Sequence, residues 1–121
     1  MEASSLRIGD LIKDCQDKKY YTVTIEILQE IVGGMDFYEP IQLNEEWLLK
    51  FGFELKTKGS YNCYQNNKKF VICMWVESYK IIGFEETGTC YYGETYTAIK
   101  YVHQLQNLYF ALTGEELILK Q

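Results

Sequence analysis

Hydrophobic and polar positions alternate from Tyr20 to Leu28, where Tyr21, Val23, Ile25 and Ile27 interleave with Thr22, Thr24 and Glu26. A period of two predicts a strand with one wet face. Another strand is expected over Leu6 to Ile12, bent at Gly9-Asp10, and a third extended piece over Phe37 to Leu43, after the Gly33-Gly34 loop. Pro40 lacks the N–H that a ladder needs, which puts the third piece at an edge or on the way out of the sheet. Short curled strands of this kind predict a barrel-like N-terminal unit.

The period then changes. Asn44 is a good N-cap, Glu45 and Glu46 suit the positive end of a helix, and Leu43 is placed to staple onto Leu48. Trp47, Leu48 and Phe51 form an apolar stripe that would anchor this short helix on a sheet, and Gly52 stops it. From Phe53 to Lys58 the alternation returns. Tyr61 to Gln65 and Phe70 to Val76 flank Asn66-Asn67-Lys68-Lys69, a hairpin turn, and lead to a further strand over Tyr79 to Phe84. The run from Phe70 to Val76 is apolar throughout, which predicts a central strand covered on both faces. Glu85 to Thr95, with Gly88 and Gly93, reads as a mobile loop or an edge. A helix is expected from about Ala98 to Leu112, with Tyr101, Leu105, Leu108 and Leu112 as its stripe, Val102 and Tyr109 widening it, and Gly114 as a left-handed cap. Thr113 to Glu116 has capping-box spacing, which predicts another half-turn and a short terminal strand at Ile118 and Leu119.

The expected fold class is therefore α+β: a barrel-like, short-stranded N-terminal unit, a connecting helix, an antiparallel meander, and a C-terminal helix packed on the meander sheet. One domain is expected over 1–121, with a strand-rich part at 1–43 and the remaining elements at 44–121.

With 121 residues, 47% of them hydrophobic, 24% charged and one proline, the composition is that of a folded domain and excludes disorder. No apolar run reaches membrane-spanning length, and Met1 to Ser5 lack the start of a secretory signal, so the expected location is the cytoplasm. Cys15, Cys63, Cys73 and Cys90 include no C-x-x-C pair and there is one histidine, which weighs against zinc. Buried free thiols are expected, with a Cys63–Cys73 bridge as the alternative for an exported chain. No phosphate-cradle or nucleophile-elbow motif is present, so neither an enzyme nor a cofactor is expected. His103, the sole imidazole, falls off the apolar stripe and is expected at the surface or its border. The pairs Glu45/Glu46, Glu85/Glu86 and Glu115/Glu116 point to different sides of their elements rather than to a paired acid site.

Charge is unevenly spread. Residues 1–46 carry 4 basic and 10 acidic groups, residues 47–84 carry 6 and 2, and residues 85–121 carry 2 and 5. In the basic middle, Lys56, Lys58, Lys68, Lys69 and Lys80 are interleaved with Tyr61, Tyr64, Trp75 and Tyr79. Lysine charge with aromatic stacking is the combination that holds nucleotides, although an amphipathic sheet produces the same pattern. Aromatic residues are in excess at 16%, with 11 tyrosines, and Tyr91, Tyr92 and Tyr96 lie in or beside a glycine-bearing loop, where a core role is harder to assign. The candidate ligand- or partner-binding residues are Tyr91, Tyr92, Tyr96, Trp75, Tyr64, Lys68, Lys69 and Lys80.

Two blocks, PIQLNEEWLLKFGF from Pro40 to Phe53 and YVHQLQNLYFALTGEEL from Tyr101 to Leu117, resemble a family of small uncharacterised proteins of gut bacteria and their phages. The family pattern for the first reads PIPLTEEWLLKFGF, from which Gln42 and Asn44 depart while keeping the helix start. The resemblance implies a phage or mobile-element context and assigns no residue a catalytic role. The expectation is a non-catalytic binding protein that acts through protein contacts, as a homodimer or as an inhibitor of a host factor. The alternative is an anti-defence sponge for a nucleotide or other phosphorylated signal, with Lys68, Lys69 or Lys80 on phosphate and Tyr91, Tyr92 or Trp75 on the base. Neither a membrane nor double-stranded nucleic acid is an expected partner.

Overall fold

In the computed structural model, which describes residues 3–57, 62–66, 70–75, 78–84 and 98–120, a 3₁₀ turn at Ala3–Ser5 precedes β1 (Leu11–Asp14). Gly9 makes the turn between them at φ 101°, a backbone angle open to glycine and costly for other residues. β1 pairs antiparallel with β2 (Tyr20–Thr22) and β3 (Tyr38–Glu39), giving the order β2-β1-β3. The β1–β2 hairpin is folded by Asp14, whose Oδ1 accepts the N–H groups of Gln16 at 2.7 Å and Asp17 at 3.1 Å, as short acidic side chains do at turns. This sheet has three strands and open edges, not a closed barrel. β3 is an edge strand that ends just before Pro40, in keeping with the missing N–H.

The strand expected over Tyr20 to Leu28 stops at Thr22, and α1 (Ile25–Val32) follows. Two facts outweigh the alternation. Thr24 is an extended N-cap whose Oγ1 accepts the Ile27 N–H at 3.3 Å, and Ile27, Leu28 and Ile31 recur at helical spacing. Tyr21, Val23, Ile25 and Ile27 alternate, and Ile31 keeps their parity, but Leu28 and Val32 break it and fall on the same helical face as Ile25.

α2 (Glu45–Lys50) starts as expected: Asn44 Oδ1 accepts the Trp47 N–H at 3.0 Å. Glu46 and Lys50 pair across one turn at 3.5 Å, and Lys50 Nζ lies 4.7 Å above the Trp47 ring. β4 (Glu54–Thr57), β5 (Asn62–Gln65), β6 (Phe70–Trp75), β7 (Ser78–Phe84) and β8 (Ala98–Ile99) form an antiparallel sheet in sequence order, with β6 in the centre.

α3 (Val102–Thr113) ends on Gly114, left-handed at φ 75°, whose N–H bonds to Phe110 O at 2.8 Å. Gln104 Oε1 reaches back to accept the Tyr101 N–H at 3.0 Å. No terminal strand follows among the described residues; instead Thr113 Oγ1 accepts the Glu115 N–H at 3.1 Å.

The chain divides into two compact units. One comprises Met1–Gln42 and Tyr101–Glu116, the other Leu43–Lys100 and Leu117–Gln121. The C-terminal helix, expected on the meander, therefore belongs with the N-terminal strands, where it packs against β1. An apolar stripe states that a helix has a buried face but not which sheet covers it. The first unit has its core at Ile12, Val23, Ile41, Val102, Leu105 and Tyr109; Trp47, Leu48, Phe51, Phe53, Tyr64, Ile72 and Ile99 are buried in the second.

The expectation of free thiols is also corrected. Cys63 is disulfide-bonded, and the residue opposite it in the β5–β6 register is Cys73. Cys15 is a free thiol.

Candidate functional site

Five of the eight candidate residues, Lys68, Lys69, Tyr91, Tyr92 and Tyr96, lie outside the described residues. Trp75 ends β6 opposite Ser78, and Lys80 lies in β7 between Cys73 of β6 and Ala98 of β8. Tyr64 is fully buried, and its hydroxyl donates to the Glu45 carboxylate, so it is a core ring of the second unit and not a surface one. A tyrosine on an amphipathic strand serves either side equally well, and burial of its β5 position decides the matter.

The described surface is most unusual at α1. None of its eight residues is buried, although five are aliphatic. Ile27, Leu28 and Ile31 are half-buried, whereas Ile25 is 59% and Val32 74% exposed. Seven residues apart, Ile25 and Val32 lie within about 20° of one another around the helix. Met35 and Phe37, just beyond the helix, are 51% and 42% exposed. Ile25 and Val32 thus share one exposed apolar face, and an exposed apolar face is the kind of surface that interaction sites use.

Polar ties hold this segment in place. The Tyr38 hydroxyl donates to Glu30 Oε2 at 2.9 Å, and Met35 N–H bonds to Glu30 O at 3.0 Å. Burial, with help from the Glu30 carboxylate, pushes the Tyr38 phenol up to about 12, so it remains a donor throughout the physiological range. α1 is thus held by the half-buried Ile27, Leu28 and Ile31, one phenol and the backbone after it, while Ile25 and Val32 stay open.

The base of the same unit is polar and buried. Asp10 is fully enclosed; its Oδ2 accepts the Arg7 N–H at 2.8 Å, while Oδ1 has no hydrogen-bond partner among the described residues. Gln106, on the buried face of α3, accepts the Leu11 N–H at 2.8 Å and donates to Gly9 O at 3.3 Å, clipping the helix to the turn before β1. Arg7 is bidentate with Glu116, at 2.6 and 3.0 Å, and its guanidinium lies 4.3 Å above the Phe110 ring. His103 is buried, contrary to its expected place at the surface. It stacks on Tyr101 at 5.8 Å with an 8° interplanar angle, and its Nδ1 has no hydrogen-bond partner among the described residues. The buried face of α3 runs through Val102, Leu105, Gln106 and Tyr109, with His103 beside it. Polar residues inside this face hide it from a count of apolar ones.

Among protein-family models, curated proteins and solved structures, nothing matches this chain.

Its chemistry must therefore be read from its own side chains. Among the described residues no group of three or more histidine, cysteine or acidic side chains is placed to hold a metal ion, and no helix is long and apolar enough to cross a membrane. Burial and the nearby Glu39 carboxylate push the Cys15 thiol up from its ordinary value, the reverse of what an activated nucleophile requires. The stretch of the first unit that contains α1, from Tyr20 to Gln42, has no lysine or arginine, while Glu26 and Asp36 stand exposed. The first unit as a whole holds four basic and ten acidic residues, a net charge of −6. Sequence reasoning missed Ile25, Val32, Met35 and Phe37. The signal that finds them is the Thr24 cap followed by Glu26 and closed by Gly33-Gly34.

Proposed function

We propose that this chain is a non-catalytic binding protein that works by contact with another protein through the open face of α1 and the residues after it. The observation that carries the reading is a helix of eight residues, five of them aliphatic, with none buried. Magnitudes restrict the mode of binding. Burying a whole Val, Ile, Phe or Met side chain is worth about 1.5–3 kcal/mol, so four at about half exposure offer roughly 3–6 kcal/mol in gross terms. Micromolar association needs about 8 kcal/mol after its entropic cost. Apolar burial at this face must therefore be joined by polar or charged contacts.

The resemblance to small proteins of gut bacteria and their phages supports a host factor as the target and the cytoplasm as the place of action. The disulfide at Cys63 weighs on the second point, because such bonds are rare in a reducing cytosol. Alkylation of intact cells before lysis tests it: a cytoplasmic protein is expected to be labelled at Cys63, and an unlabelled Cys63 places the chain in an oxidising compartment.

The contact itself is tested with Val32→Glu, an exposed substitution expected to change stability by no more than about 0.5 kcal/mol. Affinity capture from host lysate should recover a protein with the wild type and lose it with the variant. Recovery of the same proteins by both, or of none by either, overturns the reading.

A further inference from the structure

Resting on that reading, we infer that the occupant of the α1 face is a basic amphipathic segment of a different protein, one that sets apolar residues against Ile25, Val32, Met35 and Phe37 and lysine or arginine against the carboxylates around them. Charge complementarity decides among the occupants. Within the first unit, Tyr20 to Gln42 contains carboxylates at Glu26, Glu30, Asp36 and Glu39 and no lysine or arginine. Glu30 is engaged by Tyr38, and Glu39 is shared by Lys13 at 3.9 Å and Lys18 at 3.6 Å. Glu26 and Asp36 are exposed, and they flank the apolar residues in sequence, one inside α1 and one between Met35 and Phe37.

A second copy of the chain is a poor occupant. In a two-fold contact the same patch meets itself, so the carboxylates of one copy would face those of the other. Like charges brought together at an interface weaken it, and desolvation adds to the cost. Phosphate-rich surfaces are repelled for the same reason, which disfavours nucleic acid and an anionic bilayer. A cationic segment converts this penalty into attraction and supplies what apolar burial at the face lacks.

The test uses the full chain and two fluorescent synthetic peptides of about four helical turns. They carry one leucine stripe, flanked by lysine in the first and by glutamate in the second. Fluorescence anisotropy at low and high salt is expected to show the lysine peptide binding roughly tenfold or more tighter than the glutamate peptide, with an advantage that shrinks as salt rises. Val32→Glu should weaken the lysine peptide about tenfold or more, and the Glu26→Lys/Asp36→Lys variant should reverse the preference. Circular dichroism on each variant verifies the fold.

Two results overturn the inference and leave the protein-contact reading in place: equal binding of both peptides, lost with Val32→Glu, or self-association of the chain that Val32→Glu abolishes. Binding of the lysine peptide that ignores Val32→Glu overturns the inference as attraction without docking. No peptide binding together with a strictly monomeric chain overturns both.

Discussion

Asp10 and His103 are enclosed titratable groups of the first unit, and burial moves them in opposite directions. Burial raises the Asp10 carboxyl above its ordinary 3.8, against the lowering effect of the Arg7 N–H. As pH rises through 3.8 the unfolded chain ionises first, so stability falls between that value and the raised one and then levels off. Asp10→Asn keeps an acceptor for the Arg7 N–H and removes the carboxylate. It is expected to match the wild type in urea unfolding at pH 3 and to exceed it at pH 7; a variant equal at pH 3 but weaker at pH 7 would show that the charge is needed. Burial lowers the imidazole of His103 below its ordinary 6.5. Here the stability is fully present above 6.5 and is lost as pH falls from there towards the lowered value. His103→Phe retains a ring against Tyr101 and should flatten the melting temperature between pH 7.5 and pH 5, where the wild type declines. Gln106 gives a larger effect. Replacing it with leucine strands the Leu11 N–H and the Gly9 carbonyl, and a buried unpaired group costs about 1–3 kcal/mol. Urea titration should reveal that loss, and an unchanged midpoint would mean that the clip carries no weight.

Among the elements, α1 and α3 make an instructive pair. α3 has five buried residues and α1 has none, so amide hydrogens of α1 should exchange well before those of α3. Thr24→Ala should cost about 1 kcal/mol at the cap and speed exchange in α1 further; equal protection of the two helices would contradict the open face. The same two helices mark what was legible in the sequence. The meander, its central strand, the Asn44 cap and the Gly114 terminus could be read directly, because each depends on neighbours in sequence. α1 could not be read from alternation, since Tyr21 to Ile27 satisfies period two and only Leu28 and Val32 break it. The buried face of α3 was obscured by Gln106 and His103, polar residues placed inward to meet a backbone turn and a ring. The assignment of that helix to the first unit, and the openness of that unit's sheet, depend on residues far apart in the chain. The candidate site was less legible: Tyr64 is core, and of the exposed apolar residues of α1 only Ile25 falls within the strand expected over Tyr20 to Leu28, while Val32 lies beyond it.

At the scale of the molecule, the second unit carries a covalent constraint. Reduction of the disulfide at Cys63, or Cys63→Ser, should lower unfolding stability by about 2 kcal/mol or more, read as a drop in melting temperature with dithiothreitol; no drop would mean that the bond is dispensable. Cys15, free and with a raised pKa, should react slowly with iodoacetamide at neutral pH. The long gap between Lys19 and Lys50 also governs how any complex at α1 can be captured. Trypsin has no cleavage point inside that gap, so the whole segment leaves the protein as a single large peptide. Amine-to-amine cross-linkers find no anchor there and would report a genuine contact as empty, whereas a carbodiimide, which welds carboxylates to amines without a spacer, would seize Glu26 or Asp36 from the other side.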